Sequence, residues 1–596
     1  MQGGGRPALR YRPGLDGVRA IAVAGVLLYH GQIKLFRGGF VGVDVFFVLS
    51  GFLITSLLLH EGAVSHTIRL GRFWLARARR LLPAALLVVI VSVVVIALFF
   101  RSDLRQLRGD ALASVFYFNN WHQILAHRSY FEHFARPSLL QHFWSLSVEE
   151  QFYLVWPPVL LLLLRWRVRR GQIALGALVL ALTSAVLMAV LFNGTVDHTR
   201  IYFGTDTHAT PILLGVALAC CWPTMQEVAR IRPPAQRTLD LVGAAGVVLV
   251  LVTMTAWPDY SPFVYRGGLV IAALGAALLI ASASHPGTRT GRVLGSAPLV
   301  WIGKRSYGVY LWHWPIMALT RPNLDVQMPL VVLVALQAAL TVVLAAASYR
   351  YLEMPIRRGE LQARLRAWRQ RASPRGRLAL GAGVPVAIGG FVAVIALLPT
   401  AAAPAPAGAS ATLAAQQAPA AIAPAAPARQ ASGRPQGPIL MVGASVMLQA
   451  KDQLQSLLHP RLDAVDSRQP DVILQRLQGY RDSHALPPTV VVQTGENSPL
   501  EAGYLNKLRA VLSGVPHVII MTLRYEGAGW IDDTNAQLVQ FVSTWPTATL
   551  ADWNSASSDP SLLWDGAHPD PKGQEVYAQV VKHAIQVSWS KPPPPV

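Results

Sequence analysis

The chain has 596 residues, 53% of them hydrophobic and only 14% charged, with a formal net charge of +21. That composition excludes an ordinary soluble globular protein and an intrinsically disordered chain. The positive charge is nearly all arginine, gathered in short clusters between apolar stretches, so it reads as a membrane-topology signal and not as a nucleic-acid footprint. The two cysteines, Cys220 and Cys221, are adjacent in an apolar segment and make no disulfide framework.

In chain order, spanning helices are expected near 18–36, 39–60, 82–100, 143–164, 172–192, 208–222, 238–256, 265–283, 306–320, 329–349 and 378–398. That makes ten core spans and one extra. The first apolar stretch follows Arg6, Arg10 and Arg12 and carries Arg19 and His30 within it, which is unlike a cleavable signal peptide. With the N-terminus in the cytoplasm, the inside loops hold the clusters Arg69–Arg80, Arg165–Arg170, Arg230–Arg237, Arg289–Arg305 and the run after Arg350. Most outside connections carry one or two arginines, so the segment beyond the last span is expected outside. The excess of Arg over Lys with abundant Ala suggests a GC-rich bacterial genome, hence a bacterial cell membrane.

Residues 399–437 are dominated by Ala, Pro, Gln and Ser and read as an extended spacer. Beyond them, β-branched runs at Pro438–Val442, Thr489–Gln493, His517–Thr522 and Thr547–Ala551 alternate with helical stretches at 500–513 and 534–545. Strands alternating with helices predict a doubly wound parallel sheet.

Ionisable residues within spans are costly and are candidates for function. Arg19 and His30 stand nearly three helical turns apart, on one face and roughly 16 Å apart along the axis. Asp44 and Ser50 lie in the Gly39–Gly51 stretch, Arg77 and Arg80 share a helix face, Glu149 and Glu150 fall in His142–Tyr153, and His313 sits in Tyr310–Pro315. Residues 14–358 resemble the membrane-bound acyltransferase-3 family. The marks are Arg19 with ten residues before His30, GVDVFFVLSGFLIT from Gly42, Arg77-x-x-Arg80, FWSLSVEEQFY, SYGVYLWHWP and YLEMPIR. The resemblance implies an acyl-CoA donor in the cytoplasm, used as a substrate with no permanently bound cofactor or metal. It implies Arg19, Arg77 and Arg80 on the CoA phosphates, and His30 as general base or transient acyl carrier, with Glu149 a further catalytic candidate. The family would have Arg where His208 stands.

In the C-terminal region, Gly443-Ala-Ser445 follows the first strand, Gly495-Glu-Asn497 follows another, and Asp565-Gly-Ala-His568 lies near the end. Ser445, His568 and Asp565 are the types a serine nucleophile, its base and an orienting acid require. These blocks resemble the SGNH hydrolase family over roughly 436–590, which implies an α/β/α, flavodoxin-like domain. Asn497 and the backbone near Ser467 would then serve as oxyanion donors. Ala444 replaces the Asp usual in the first block, and Ser498 the Asp that ends the third.

The expected organisation is therefore a membrane domain over 1–358, an arginine-rich loop and additional helix over 359–398, a linker over 399–437 and an extracytoplasmic SGNH-like domain over 438–596. The leading reading is an O-acyltransferase that moves an acyl group, acetyl by default, from acyl-CoA to a hydroxyl of a cell-envelope glycan or glycolipid through Ser445. A surface esterase or glycan-binding module on a membrane anchor, or a polytopic transporter, stands as the alternative.

Overall fold

A computed structural model describes residues 11–100, 104–125, 137–192, 199–222, 233–257, 261–285, 287–322, 325–326, 328–360, 363, 437–465, 468–501, 503–525, 530–563 and 566–591. The predicted span 378–398 and the linker up to 436 lie outside the described residues, as do Asp565 and Ser467.

Each of the first ten predicted spans has a helix. They are Pro13–His30, Gly42–Ser65, Leu70–Phe99, Phe143–Arg165, Arg170–Leu191, Thr210–Cys221, Pro233–Ala256, Leu269–Ala283 (after a π turn at Val264–Gly268), Ala297–Leu319 and Leu330–Ser348. Among the described residues, six stretches are long and apolar enough to cross a membrane: Gly39–Ser65, Leu70–Phe99, Arg170–Leu191, Ala235–Ala256, Val264–Ala283 and Leu330–Arg357. Burial separates their places in the bundle. The most apolar window of Gly39–Ser65 is 72% buried, whereas that of Leu330–Arg357 is 28% buried. The first is central, and the second turns most of its surface outward, with Val331, Leu336 and Val343 exposed. Exposed apolar surface on that scale belongs against lipid.

Two expectations about loops need correction. Arg77 and Arg80 lie on a helix as expected, but that helix, Leu70–Phe99, also takes in Arg72 and Arg79, and Lys304 and Arg305 lie within Ala297–Leu319. Hydropathy registers where charge stops, while the helix runs on through arginine, a good helix former with a long apolar stem. The connection 101–141 also carries two helices, Leu104–Val115 and Asn119–Leu125, absent from the sequence reading.

Without a hydrophobic drive between helices in lipid, close backbone packing holds a bundle together. Gly51 and Gly215 supply it between the second helix and Thr210–Cys221. A Cβ on Gly51 would run into the Ile212 carbonyl, and one on Gly215 into that of Val48. The same holds where Gly303 meets the Asp16 carbonyl, seating Ala297–Leu319 against the first helix.

The C-terminal domain is built on five strands: β1 Ile439–Gly443, β2 Arg461–Ala464, β3 Thr489–Val492, β4 His517–Met521 and β5 Ala548–Ala551. All neighbouring pairs are parallel, in the order β2-β1-β3-β4-β5. Side chains alternate between two cores. Leu440, Val442, Val490 and Ile520 pack on one face with Ile473, Leu508 and Leu538, while Met441, Val491, Ile519 and Met521 pack on the other with Leu454, Tyr577 and Val581. Both faces are thus covered by helices, as parallel sheets require. The sequence reading missed β2 because Arg461-Leu-Asp-Ala464 is a half-exposed edge strand without β-branched residues.

Candidate active sites in the membrane and the outer domain

In the bundle, a cavity of about 330 Å3 is bounded by the first three helices together with Phe143–Arg165 and Ala297–Leu319. Arg19, Arg77, Arg80 and Glu149 all line it, so four of the five residues given a role by the family resemblance in this half converge on one space. Glu149 accepts a hydrogen bond from Ser50 Oγ at 2.9 Å, and Tyr153 donates its hydroxyl to Ser50 at 2.9 Å. Arg19 pairs with Asp16 at 3.0 Å, and the Arg77 guanidinium lies 6.0 Å from the centre of the Tyr153 ring. With Arg12, the wall therefore carries four guanidinium groups against the two carboxylates of Asp16 and Glu149 and is built to receive an anion.

His30 is not on that lining, although it shares a helix with Arg19. Tyr310 is on the cavity wall. Its hydroxyl lies 2.6 Å from Ser145 Oγ and donates to the His142 carbonyl at 3.1 Å. One turn further along the same helix, His313 contacts His30, with His313 Nε2 and His30 Nδ1 3.2 Å apart. Trp314 packs edge-on against the His30 ring at 4.7 Å, and His142 lies 5.8 Å from His313. Helical spacing on one chain segment shows none of this, because Tyr310, His313 and His142 come from helices remote in sequence. The signal that could have found them was the concentration of histidine and hydroxyl groups in two apolar segments.

His208 has a defined place. Its Nε2 lies 2.9 Å from Asp44 Oδ1 and its Nδ1 2.6 Å from the Tyr202 carbonyl, with the ring stacked on Trp144. Both members of the pair are at most 1% exposed. Asp44 Oδ2 has no partner among the described residues, consistent with an imidazole reaching only one carboxylate oxygen where a guanidinium would span two.

In the C-terminal domain, Ser445 begins a short helix two residues past β1, and Asn497 lies five residues past the end of neighbouring β3. Gly495 bends the chain there with φ +103, a conformation that side-chain-bearing residues avoid. His568 arrives from the far end of the sequence. It precedes Asp570, whose carboxylate caps the Pro571–Ser590 helix by accepting from the Gly573 N–H, and that helix packs on β4 and β5. The result is a His568 Nε2 to Ser445 Oγ distance of 2.8 Å between residues 123 apart in sequence. This is the geometry in which an imidazole takes the proton of an attacking serine. Asn497 donates Nδ2 to the Arg468 carbonyl at 2.8 Å, which fixes its side chain beside the strand ends. Asp565 and Ser467 lie outside the described residues, so the orienting acid and the backbone donor have no observed geometry. Ala444 is buried at the start of the Ser445 helix, and Ser498 is buried with no partner for its hydroxyl among the described residues. Glu496, between Gly495 and Asn497, is fully buried. Both its carboxyl oxygens lack partners there, and burial pushes its pKa up to about 8.

A basic cavity within a helix bundle, joined in one chain to a serine–histidine pair on a doubly wound sheet, defines a membrane-bound enzyme of acyl-group chemistry. Residues 12–350 match the family described as Acyltransferase domain, and the chain belongs to that family. It is 32% identical to peptidoglycan O-acetyltransferase OatA of Listeria monocytogenes over 97% of this chain and 98% of that protein. It is 40% identical to O-acetyltransferase OatA of Staphylococcus aureus over 59% of this chain and 58% of the relative. Among solved structures, the C-terminal catalytic domain of Streptococcus pneumoniae peptidoglycan O-acetyltransferase A, with a methylsulfonyl adduct, is similar over 26% of this chain and 96% of that one. The identity is 25% and the TM-score 0.24. The chain is thus an acyltransferase whose C-terminal domain is a doubly wound parallel sheet.

Proposed function

We propose that the protein O-acetylates a cell-wall glycan, taking the acetyl group from acetyl-CoA at the membrane cavity and delivering it through Ser445. The observation that carries this reading is the convergence of Arg19, Arg77 and Arg80 on one cavity, with His30 in contact with His313, one turn past the cavity-lining Tyr310. The full-length relative that names peptidoglycan as its substrate supports the choice of acceptor. A cavity of about 330 Å3 suits the thioester arm of a CoA, with the phosphates held at the arginines by bidentate bonds.

His30 then acts on the thioester carbonyl as base or as transient carrier. The C–S bond breaks, a C–O bond to an acceptor hydroxyl forms, and the hydroxyl's proton leaves with the CoA thiol. In the outer domain, Ser445 attacks that ester: its proton passes to His568 and on to the departing acceptor oxygen, whose bond to the acetyl carbon breaks as the Ser445 ester forms. A glycan hydroxyl displaces the ester, and its proton returns to Ser445. The arginine asymmetry of the loops supports a cytoplasmic N-terminus and an outer C-terminal domain in a bacterial cell membrane.

The test is base-labile acetate on isolated peptidoglycan from cells carrying the full chain. His30→Ala and Ser445→Ala are each expected to reduce it to the level of cells lacking the gene. Full acetylation by Ser445→Ala would end the relay, and full acetylation by His30→Ala would end the proposed membrane centre.

A further inference from the structure

The contact between His313 and His30 has a protonation logic. His313 is completely buried. Its Nδ1 lies 2.5 Å from the backbone carbonyl of Tyr310. A carbonyl oxygen can only accept, so Nδ1 must carry the proton. Among the described residues no carboxylate reaches the His313 ring, and an imidazolium there would be an uncompensated buried charge. His313 is therefore neutral, and its Nε2 bears a lone pair. That lone pair faces His30 Nδ1 at 3.2 Å. For the contact to be a hydrogen bond, His30 must donate from Nδ1, which leaves its own lone pair on Nε2.

We propose that His313 is the positioning residue that holds His30 in the Nδ1–H tautomer and thereby presents Nε2 to the acyl group. The inference rests on His30 being the reacting histidine. It holds whether His30 removes a proton or carries the acyl group, since both use the same lone pair. It also excludes His313 as a through-going proton relay. A proton accepted at its Nε2 would have to leave from Nδ1, and the group there is a carbonyl that cannot take it on. His313 acts on His30 as an orienting carboxylate acts on a catalytic histidine, but as a neutral acceptor, which avoids placing a charge in an apolar bundle.

The support around it is rigid. The Tyr310 hydroxyl is held by Ser145 and the His142 carbonyl, Trp314 donates its indole N–H to the Ser138 carbonyl at 2.8 Å, and Trp314 and Tyr29 pack on the His30 ring. The cavity wall at Tyr310 and the lock at His313 are thus two ends of one helical turn.

The test uses the full chain in lipid bilayers with 15N-labelled histidine. The His30 signals, assigned as those lost in His30→Asn, are expected to show a protonated Nδ1 and an unprotonated Nε2, and the opposite tautomer would overturn the proposal. In membranes supplied with acetyl-CoA, His313→Phe keeps the ring volume but offers no acceptor. It is expected to lower kcat by about 100-fold with KM for acetyl-CoA unchanged. His313→Gln, which can return an acceptor oxygen to the Nε2 position, should recover most of that loss. A His313→Phe protein with wild-type kcat, or a His313→Gln protein as impaired as His313→Phe, would overturn the proposal while leaving His30 catalytic. Wild-type turnover by His30→Ala would instead remove the reading on which it rests.

Discussion

Glu496 offers a quantitative test of how the outer domain is built. Its carboxyl is buried beside the Asn497 loop with no hydrogen-bond partner among the described residues, and burial lifts its pKa from 4.5 to about 8. An acid whose pKa is raised on folding favours the folded state in its neutral form. Its stabilising effect is whole below the unfolded pKa and is lost as pH rises through the folded one. At about 1.4 kcal/mol per unit, that shift gives a loss of roughly 3–5 kcal/mol between pH 4.5 and pH 9. Glu496→Gln keeps the shape and the unsatisfied polar burden but removes the titration. The two hydrophobic cores of residues 439–589 draw on no membrane residue, so the domain can be unfolded in urea by itself. Near pH 5 wild type and Glu496→Gln should unfold at similar urea concentrations. Toward pH 9 the wild type should weaken and the variant should not, opening a gap of several kcal/mol. Parallel pH profiles for the two proteins would refute the buried, neutral carboxylic acid.

Three further outcomes follow from individual contacts. His208→Leu leaves the buried Asp44 carboxyl without its partner and should cost about 3–5 kcal/mol, seen as a lower thermal midpoint in detergent, while His208→Arg should be tolerated. Asp463 is held by Arg468, Arg476 and Tyr480, which depress its pKa despite burial. Its contribution is present above the usual Asp pKa and lost as pH falls through the folded value, so Asp463→Asn should destabilise the domain at pH 7 and converge with wild type in acid. Gly51→Val drives a side chain into the Ile212 carbonyl and should abolish assembly of the bundle, read as lost full-length protein in the membrane fraction.

Much of the site was legible as chemistry before it was legible as geometry. Arg19, Arg77, Arg80 and Glu149 stood out because charge in an apolar segment is expensive, and all four reach the cavity. Ser445 and His568 stood out because each follows a short block at a strand end or near the last helix, and they meet at 2.8 Å. His313 was visible only as one more buried ionisable residue. Its use depends on the direction of two ring nitrogens, which no spacing rule reports. That His30 lies off the cavity lined by Arg19 was not legible for a related reason. Helical periodicity gives the face of a residue on its own helix, but not the neighbours, here His313 and Trp314, that pack against it.

Period, composition and cost of burial act along the chain, so hydropathy located ten helices, β-branched runs located four of the five described strands, and buried charge marked residues that line the membrane cavity. Order, depth and partnership act between segments far apart. The strand order β2-β1-β3-β4-β5, the glycine contacts that seat helices backbone to backbone, and the pairs His30–His313, Asp44–His208 and Ser445–His568 each join residues that no local pattern connects. Those were decided by packing, because a buried polar group takes whichever partner the assembled fold brings within hydrogen-bond reach.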